Sequence, residues 1–181
     1  MQLAATSFVY GGVQITLVAY LVAFLTESFA LSLVLAGMVM AVSQLASVVG
    51  RVLWGLVADH LLSRRATLGL LGVGMGITAF CALGAGTSWP LWALFVFAVA
   101  LGVTAVGWNG VFLAELTRLA PPGRVADVTG GSSAFTFLGV VVTPPLFHFV
   151  LGLTSSYGAT YAFFGIIPLC VGVALLLTEK E

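Results

Sequence analysis

Gly50–Arg65 reads GRVLWGLVADHLLSRR, and this stretch decides how the rest of the chain is organised. It contains Arg51, Asp59, Arg64 and Arg65, although the whole sequence has only six basic and six acidic residues. Long apolar stretches flank it on both sides. A charged turn between apolar segments is typical of a protein that crosses a membrane several times, with the turn on the cytoplasmic side.

The composition excludes a soluble domain. Hydrophobic residues make up 61% of the chain and charged residues 7%, against about 25% charged in soluble domains. Such a chain cannot cover a water-facing surface, so its main partner is the lipid bilayer. A net charge of zero gives no support to a nucleic-acid partner. Cys81 and Cys170 lie in apolar segments without metal-ligand spacing, so we expect no metal and no cofactor.

Six apolar segments each approach the roughly 20 residues needed to span a bilayer. We place them at 4–26, 31–57, 66–86, 91–115, 128–152 and 159–178. The sequence therefore predicts an all-α integral membrane protein, with residues 1–181 forming a single six-helix transmembrane bundle.

The basic residues are confined to alternate turns or their neighbourhood. The turns after segments one, three and five contain no Lys or Arg. All six basic residues fall on the other side, namely Arg51, Arg64, Arg65, Arg118, Arg124 and Lys180. The positive-inside rule makes that side cytoplasmic. We therefore expect a multi-pass protein of the cell membrane with both termini in the cytoplasm.

Polar residues in the spans recur at helical spacing and mark inward-facing sides. They occur in the first two segments of each triplet, whereas segments three and six look lipid-facing all round. This pattern predicts two three-helix repeats. The candidate cavity-lining residues are Tyr10, Gln14, Trp108, Asn109, Ser132 and Thr136. Contacts between helices would explain Gln14 and Asn109 equally well.

The opening stretch resembles the loop between the second and third helices of a half of a major facilitator superfamily (MFS) transporter. That loop carries Gly-x-x-x-Asp-(Arg/Lys)-x-Gly-(Arg/Lys)-(Arg/Lys). The matching residues, with one residue inserted, are Gly55, Asp59, Arg64 and Arg65. His60 stands in place of the first basic residue, and no glycine precedes the arginine pair. In the family this loop latches the two halves together, and the resemblance implies that Arg51, Glu115 and Arg118 complete its charge cluster.

Segment five partly resembles the glycine-rich pattern of MFS antiporters. Gly130, Gly139 and Pro144 keep its spacing, and three of its glycines are replaced, by Thr143, Phe147 and His148. This degenerate form favours the C-terminal six-helix half of a transporter. Pro144 and Pro145 are expected to kink or interrupt the segment.

The resemblance implies a secondary carrier that moves a small solute by alternating access. One bundle cannot do this alone, so the expected partner is a missing N-terminal six-helix half or a second copy. The alternative is a non-transporting membrane scaffold or an inactive remnant. An intramembrane enzyme is disfavoured, because Ser132 and His148 lie on one segment about 24 Å apart by helical rise.

Overall fold

The computed structural model describes residues 2–85 and 89–178. All regular secondary structure in these residues is helical, and they contain no strand. The helices are α1 Gln2–Ala19, α2 Leu21–Phe29, α3 Leu33–His60, α4 Arg64–Cys81, α5 Leu91–Ala105, α6 Trp108–Leu119, α7 Val125–Thr154 and α8 Tyr157–Leu177. A 3-10 turn over Ala82–Gly84 extends α4.

Six stretches of the described chain are long and apolar enough to cross a bilayer. Five of them begin and end within a few residues of the predicted segments, whereas the first, Gln2–Ala19, ends seven residues before the predicted end at residue 26. The first segment consists of α1 and α2, and the fourth consists of α5 and α6. The predicted all-helical fold with six membrane-spanning segments is confirmed.

The main helix contacts follow a pseudo-symmetric pattern. The three principal packed pairs are α1 with α7, α3 with α5, and α4 with α8. Exchanging the first three segments for the last three turns the α1–α7 pair into the α5–α3 pair. The same exchange maps the α4–α8 pair onto itself. The contacts therefore have the pairing expected of two three-helix repeats.

The third segments, α4 and α8, are not lipid-facing all round, so that prediction is wrong. A Cβ added at Gly76 would lie 2.8 Å from the carbonyl oxygen of Gly165, and one added at Gly172 would lie 2.5 Å from that of Gly69. Small residues let helix backbones approach closely without any polar contact. A search for polar faces misses such an interface, to which Gly69, Gly72 and Gly76 all contribute close contacts with α8.

Two helix interruptions occur where the sequence did not predict them. Pro144 and Pro145 are expected to kink or interrupt segment five; they lie inside α7, which is continuous from Val125 to Thr154, so they do not interrupt it. Instead, α1 gives way to α2 at Tyr20, and α5 gives way to α6 at Val106-Gly107. These breaks lie in the first segment of each repeat.

Neighbouring side chains donate hydrogen bonds to carbonyl groups close to both breaks. The Tyr161 hydroxyl donates to the Leu17 carbonyl oxygen at 2.7 Å, and Trp54 Nε1 donates to that of Val103 at 3.1 Å. Backbone polar groups at membrane depth need such partners, because lipid offers none.

Candidate functional site

A hydrogen-bonded cluster joins α1 to the beginning of α6. Gln14 Oε1 accepts hydrogen bonds from Trp108 Nε1 at 2.8 Å and from Asn109 Nδ2 at 3.1 Å. Asn109 Nδ2 also lies 3.3 Å from the Val106 carbonyl oxygen, inside the break between α5 and α6. The break therefore places two polar side chains of the fourth segment against the first.

Tyr10 and Trp108 lie inside the bundle behind this cluster. Tyr10 is fully buried, and its hydroxyl donates to the Leu68 carbonyl oxygen of α4 at 3.0 Å. Its ring meets that of Trp108 edge to face, with centroids 5.7 Å apart. Gln14 is only partly buried and Asn109 is exposed. Of these four predicted cavity residues, Gln14 and Asn109 reach the surface of the bundle most directly.

A cleft of about 250 Å³ lies between α6 and α7 beside Asn109. Its polar side chains on α7 are Thr129, Ser133 and Thr136. Ser132 does not line the cleft. It is buried towards α1, where its carbonyl oxygen lies 3.4 Å from Ser7 Oγ. The sequence analysis missed Thr129 and Ser133. Ser133 and Thr136 follow Thr129 by four and seven residues, so helical periodicity places all three on one face of α7.

Helix packing rather than the cleft explains Gly139. A Cβ at Gly139 would overlap the Phe8 carbonyl group, so glycine permits the contact between α1 and α7. Gly130 instead faces open space. Pro144 and Pro145 lie further along α7, and the Pro144 carbonyl oxygen is 3.4 Å from the Tyr20 hydroxyl.

The predicted charge cluster gathers at one end of the bundle as separate pairs. Asp59 and Arg64 approach to 3.5 Å. Arg118 forms a bidentate pair with Glu115, at 2.8 and 2.6 Å, and Glu115 is almost fully buried.

Arg65 brings both ends of the described chain together. It donates hydrogen bonds to Gln2 and, at 2.9 Å, to Thr178 Oγ1. The first and last described residues of the bundle are therefore at the arginine-rich end. Lys180, the sixth basic residue assigned to this side, lies outside the described residues.

Arg51 and Gly55 lie apart from these pairs on the surface of α3. Arg51 is exposed, and it lies nine residues before the last residue of the helix, or about 2.5 turns. A Cβ at Gly55 would meet nothing within 4 Å. Within residues 2–85 and 89–178, no group of three or more His, Cys, Asp or Glu side chains could hold a metal ion.

Comparison with known proteins places this architecture in a family. The sequence model of the Major Facilitator Superfamily matches residues 3–181. An uncharacterised MFS-type transporter of Mycobacterium tuberculosis strain CDC 1551 / Oshkosh is 27% identical over 156 residues. Another, from strain ATCC 25618 / H37Rv, is 26% identical over 156 residues. Each alignment covers 86% of this chain but 35% of the relative, so the chain spans about a third of the length of these curated relatives.

Proposed function

The chain belongs to the major facilitator superfamily, and we propose that it forms one six-helix half of a secondary carrier that moves a small solute by alternating access. Family membership and six apolar spans make it a multi-pass membrane transporter. The observation that carries the finer proposal is the break before Trp108, which brings Asn109 to Gln14 beside the α6–α7 cleft. Interrupted helices in corresponding segments of transporter repeats mark binding sites.

The surfaces of α3 and α7 support the need for a second bundle. Both helices carry rows of exposed apolar side chains, among them Leu45, Val49, Val52, Leu53, Phe137, Val141 and Phe149. Arg51 lies within the exposed row on α3. A guanidinium group facing lipid is costly and usually turns to protein or water. We propose that a missing N-terminal half, or a second copy, covers this side.

Surface glycines on α3 and α7 favour packing of a further protein helix, and not lipid alone, on this side of the bundle. Gly37 and Gly55 on α3, and Gly130 and Gly131 on α7, have nothing within 4 Å of an added Cβ. The glycines of α4 and α8, by contrast, meet neighbouring helices. Small residues at membrane helix surfaces permit close packing of a further helix.

The cleft chemistry favours an uncharged, largely apolar solute. Among the described residues that line it, none is charged, and Phe112, Leu113 and Phe137 supply apolar walls. Asn109, Ser133 and Thr136 offer a few hydrogen bonds, which is the usual balance of a small-molecule site. We propose that these groups contact the solute in the assembled carrier.

The arginine-rich end is proposed as the cytoplasmic latch. Asp59 and Arg64 come from the loop that resembles the MFS motif, and Glu115 and Arg118 come from the end of α6. The positive-inside rule supports a cytoplasmic position for this end of the bundle, and hence for both ends of the described chain. The degenerate pattern around Gly130 and Gly139 supports the C-terminal half.

Cysteine accessibility in the full-length protein tests alternating access. Ser133→Cys or Thr136→Cys is introduced after Cys81 and Cys170 are replaced by serine. A membrane-impermeant maleimide is then applied to intact cells and to inverted vesicles. We expect labelling from both sides, because the cleft opens to each side in turn. Leu138→Cys, on another face of α7, is the matched control and should not react. Labelling from one side alone would contradict the proposal.

The mass of the native polypeptide tests the second bundle. Detection with an antibody to this chain, after denaturing electrophoresis, shows whether a further bundle is covalently joined. A mass near twice 18.7 kDa or larger is expected for a joined pair, and a cross-linked dimer is expected for two copies. A strict monomer of 18.7 kDa would overturn the transport proposal.

A further inference from the structure

Three neighbouring cavities at the arginine-rich end share lining residues, and we refer to them together as the trough. The first, of about 570 Å³, is lined by Arg64, Arg65, Arg118 and Glu115. The second, of about 440 Å³, shares Arg65 and Glu115 with it. The third is an apolar groove of about 760 Å³ between α1 and α7, and it shares Phe135 with the second. The trough therefore has a charged end and an apolar end.

The charged end contains guanidinium donors that lack acceptors. Arg64 Nε and Arg65 Nε are buried and have no hydrogen-bond partner among the residues that the structure describes. Their Nη2 atoms are occupied, in Arg64 by Asp59 and in Arg65 by Gln2 and Thr178. A buried donor without a partner costs about 1–3 kcal/mol. Neither Nε atom is accessible to solvent, so a ligand rich in acceptor oxygens would remove that cost at both arginines once their side chains turn towards it.

Electrostatics select an anion for this position. Three arginines and one carboxylate line the charged cavity, and both oxygens of that carboxylate already accept from Arg118. The cavity also includes Ser63, where α4 begins, and a helix N-terminus adds partial positive charge. A phosphate group matches this site, because guanidinium groups bind it through strong charge-assisted hydrogen bonds.

The apolar end specifies what carries the phosphate. Phe8, Val9, Phe135 and Leu138 line the groove, and half of the Phe135 and Leu138 surface is exposed. We propose that the trough binds an anionic phospholipid, with its phosphate at Arg64 and Arg65 and an acyl chain between α1 and α7. Basic cavities between membrane helices bind lipid headgroups in this way. The inference does not depend on transport.

Native mass spectrometry of the full-length protein tests the ligand. The purified protein is titrated with phosphatidylglycerol, with a phosphate-free diacyl glycolipid, and with soluble glycerol phosphate. We expect retention of one phosphatidylglycerol molecule and at least about tenfold weaker binding of the glycolipid, since charge-assisted bonds are lost. Equal glycolipid binding would show that phosphate is not recognised. Equal binding of glycerol phosphate would show that the ligand is a free phosphate and would overturn the lipid assignment.

Variants localise the site. Arg64→Gln with Arg65→Gln should weaken phosphatidylglycerol retention about tenfold or more. Arg51→Gln is the matched control, because Arg51 is exposed on α3 and lines none of the three cavities. Arg65→Lys keeps the charge but removes the Nε donor, so it should cause a partial loss of phosphatidylglycerol retention. It serves as the test variant if the double variant does not fold. Unchanged retention in either test variant would refute the site.

Discussion

Gly72→Ala should destabilise the bundle although it adds a single methyl group. Gly72 lies where α4 meets both α1 and α8. A Cβ there would overlap the Tyr10 hydroxyl and would lie 2.7 Å from the carbonyl oxygen of Pro168. Neither neighbour can yield easily, since the phenol ring is fully buried and the other atom belongs to a helix backbone. The contact therefore has to open or Tyr10 has to leave its hydrogen bond with Leu68.

The expected cost follows from these contacts. Overpacking a filled core costs about 1–3 kcal/mol. A displaced Tyr10 hydroxyl without a partner costs about 1–3 kcal/mol more. The higher helix propensity of alanine offsets about 1 kcal/mol of this loss in stability. The net loss is about 1–5 kcal/mol, and a loss of 3 kcal/mol corresponds to roughly 6–12 °C in Tm for a chain of this size.

The assay is thermal unfolding of the full-length protein in detergent, read by size-exclusion chromatography of a fluorescent fusion. Gly110→Ala is the matched control, because Gly110 also lies within a helix and nothing lies within 4 Å of its added Cβ. Combining Gly72→Ala with Tyr10→Phe should recover about 0.5–3 kcal/mol relative to additive losses, since the hydroxyl that clashes is gone. Equal Tm values for Gly72→Ala and Gly110→Ala, or strictly additive losses, would refute the reasoning.

Two further predictions concern polar contacts in the same bundle. Arg118→Gln should lower Tm more than Arg124→Gln, because it leaves the buried Glu115 without its partner, whereas the exposed Arg124–Asp127 pair contributes only about 0–1 kcal/mol. The added variant Glu115→Gln should restore much of the loss, and equal effects of the two arginine variants would contradict this. Trp54→Phe should cost about 0.5–1.5 kcal/mol, because the Val103 carbonyl group near the helix break loses its donor. Trp92→Phe, at an exposed position, is its control in the same unfolding assay, and an equal Tm would contradict the capping role.

The membrane class and the six spans could be predicted because they depend on properties that sequence displays directly. Hydropathy over about 20 residues is set by bilayer thickness. The loop around Asp59 and Arg64 could be recognised because its charges stand out in an apolar chain. Contacts across the α4–α8 interface could not be predicted from polarity, since Gly76 and Gly165 meet without a polar group. The break before Trp108 has a weak local signal, Gly107, and no proline.

The candidate site shows a deeper limit of reading polar residues in a membrane helix. Polarity at helical spacing indicates that a side chain points away from lipid. It does not show whether that side chain bonds the backbone of a neighbouring helix or lines a cleft. Tyr10, Trp54 and Tyr161 donate to backbone carbonyl groups of neighbouring helices. Asn109 and Thr136 instead line an open cleft. Sequence spacing does not separate the two cases: Tyr10 and Gln14 lie on the same face of α1 one turn apart, yet Tyr10 bonds the backbone of α4 and Gln14 bonds side chains of α6. Candidate solute contacts in this chain are therefore polar side chains that line a cleft and do not bond the backbone of a neighbouring helix.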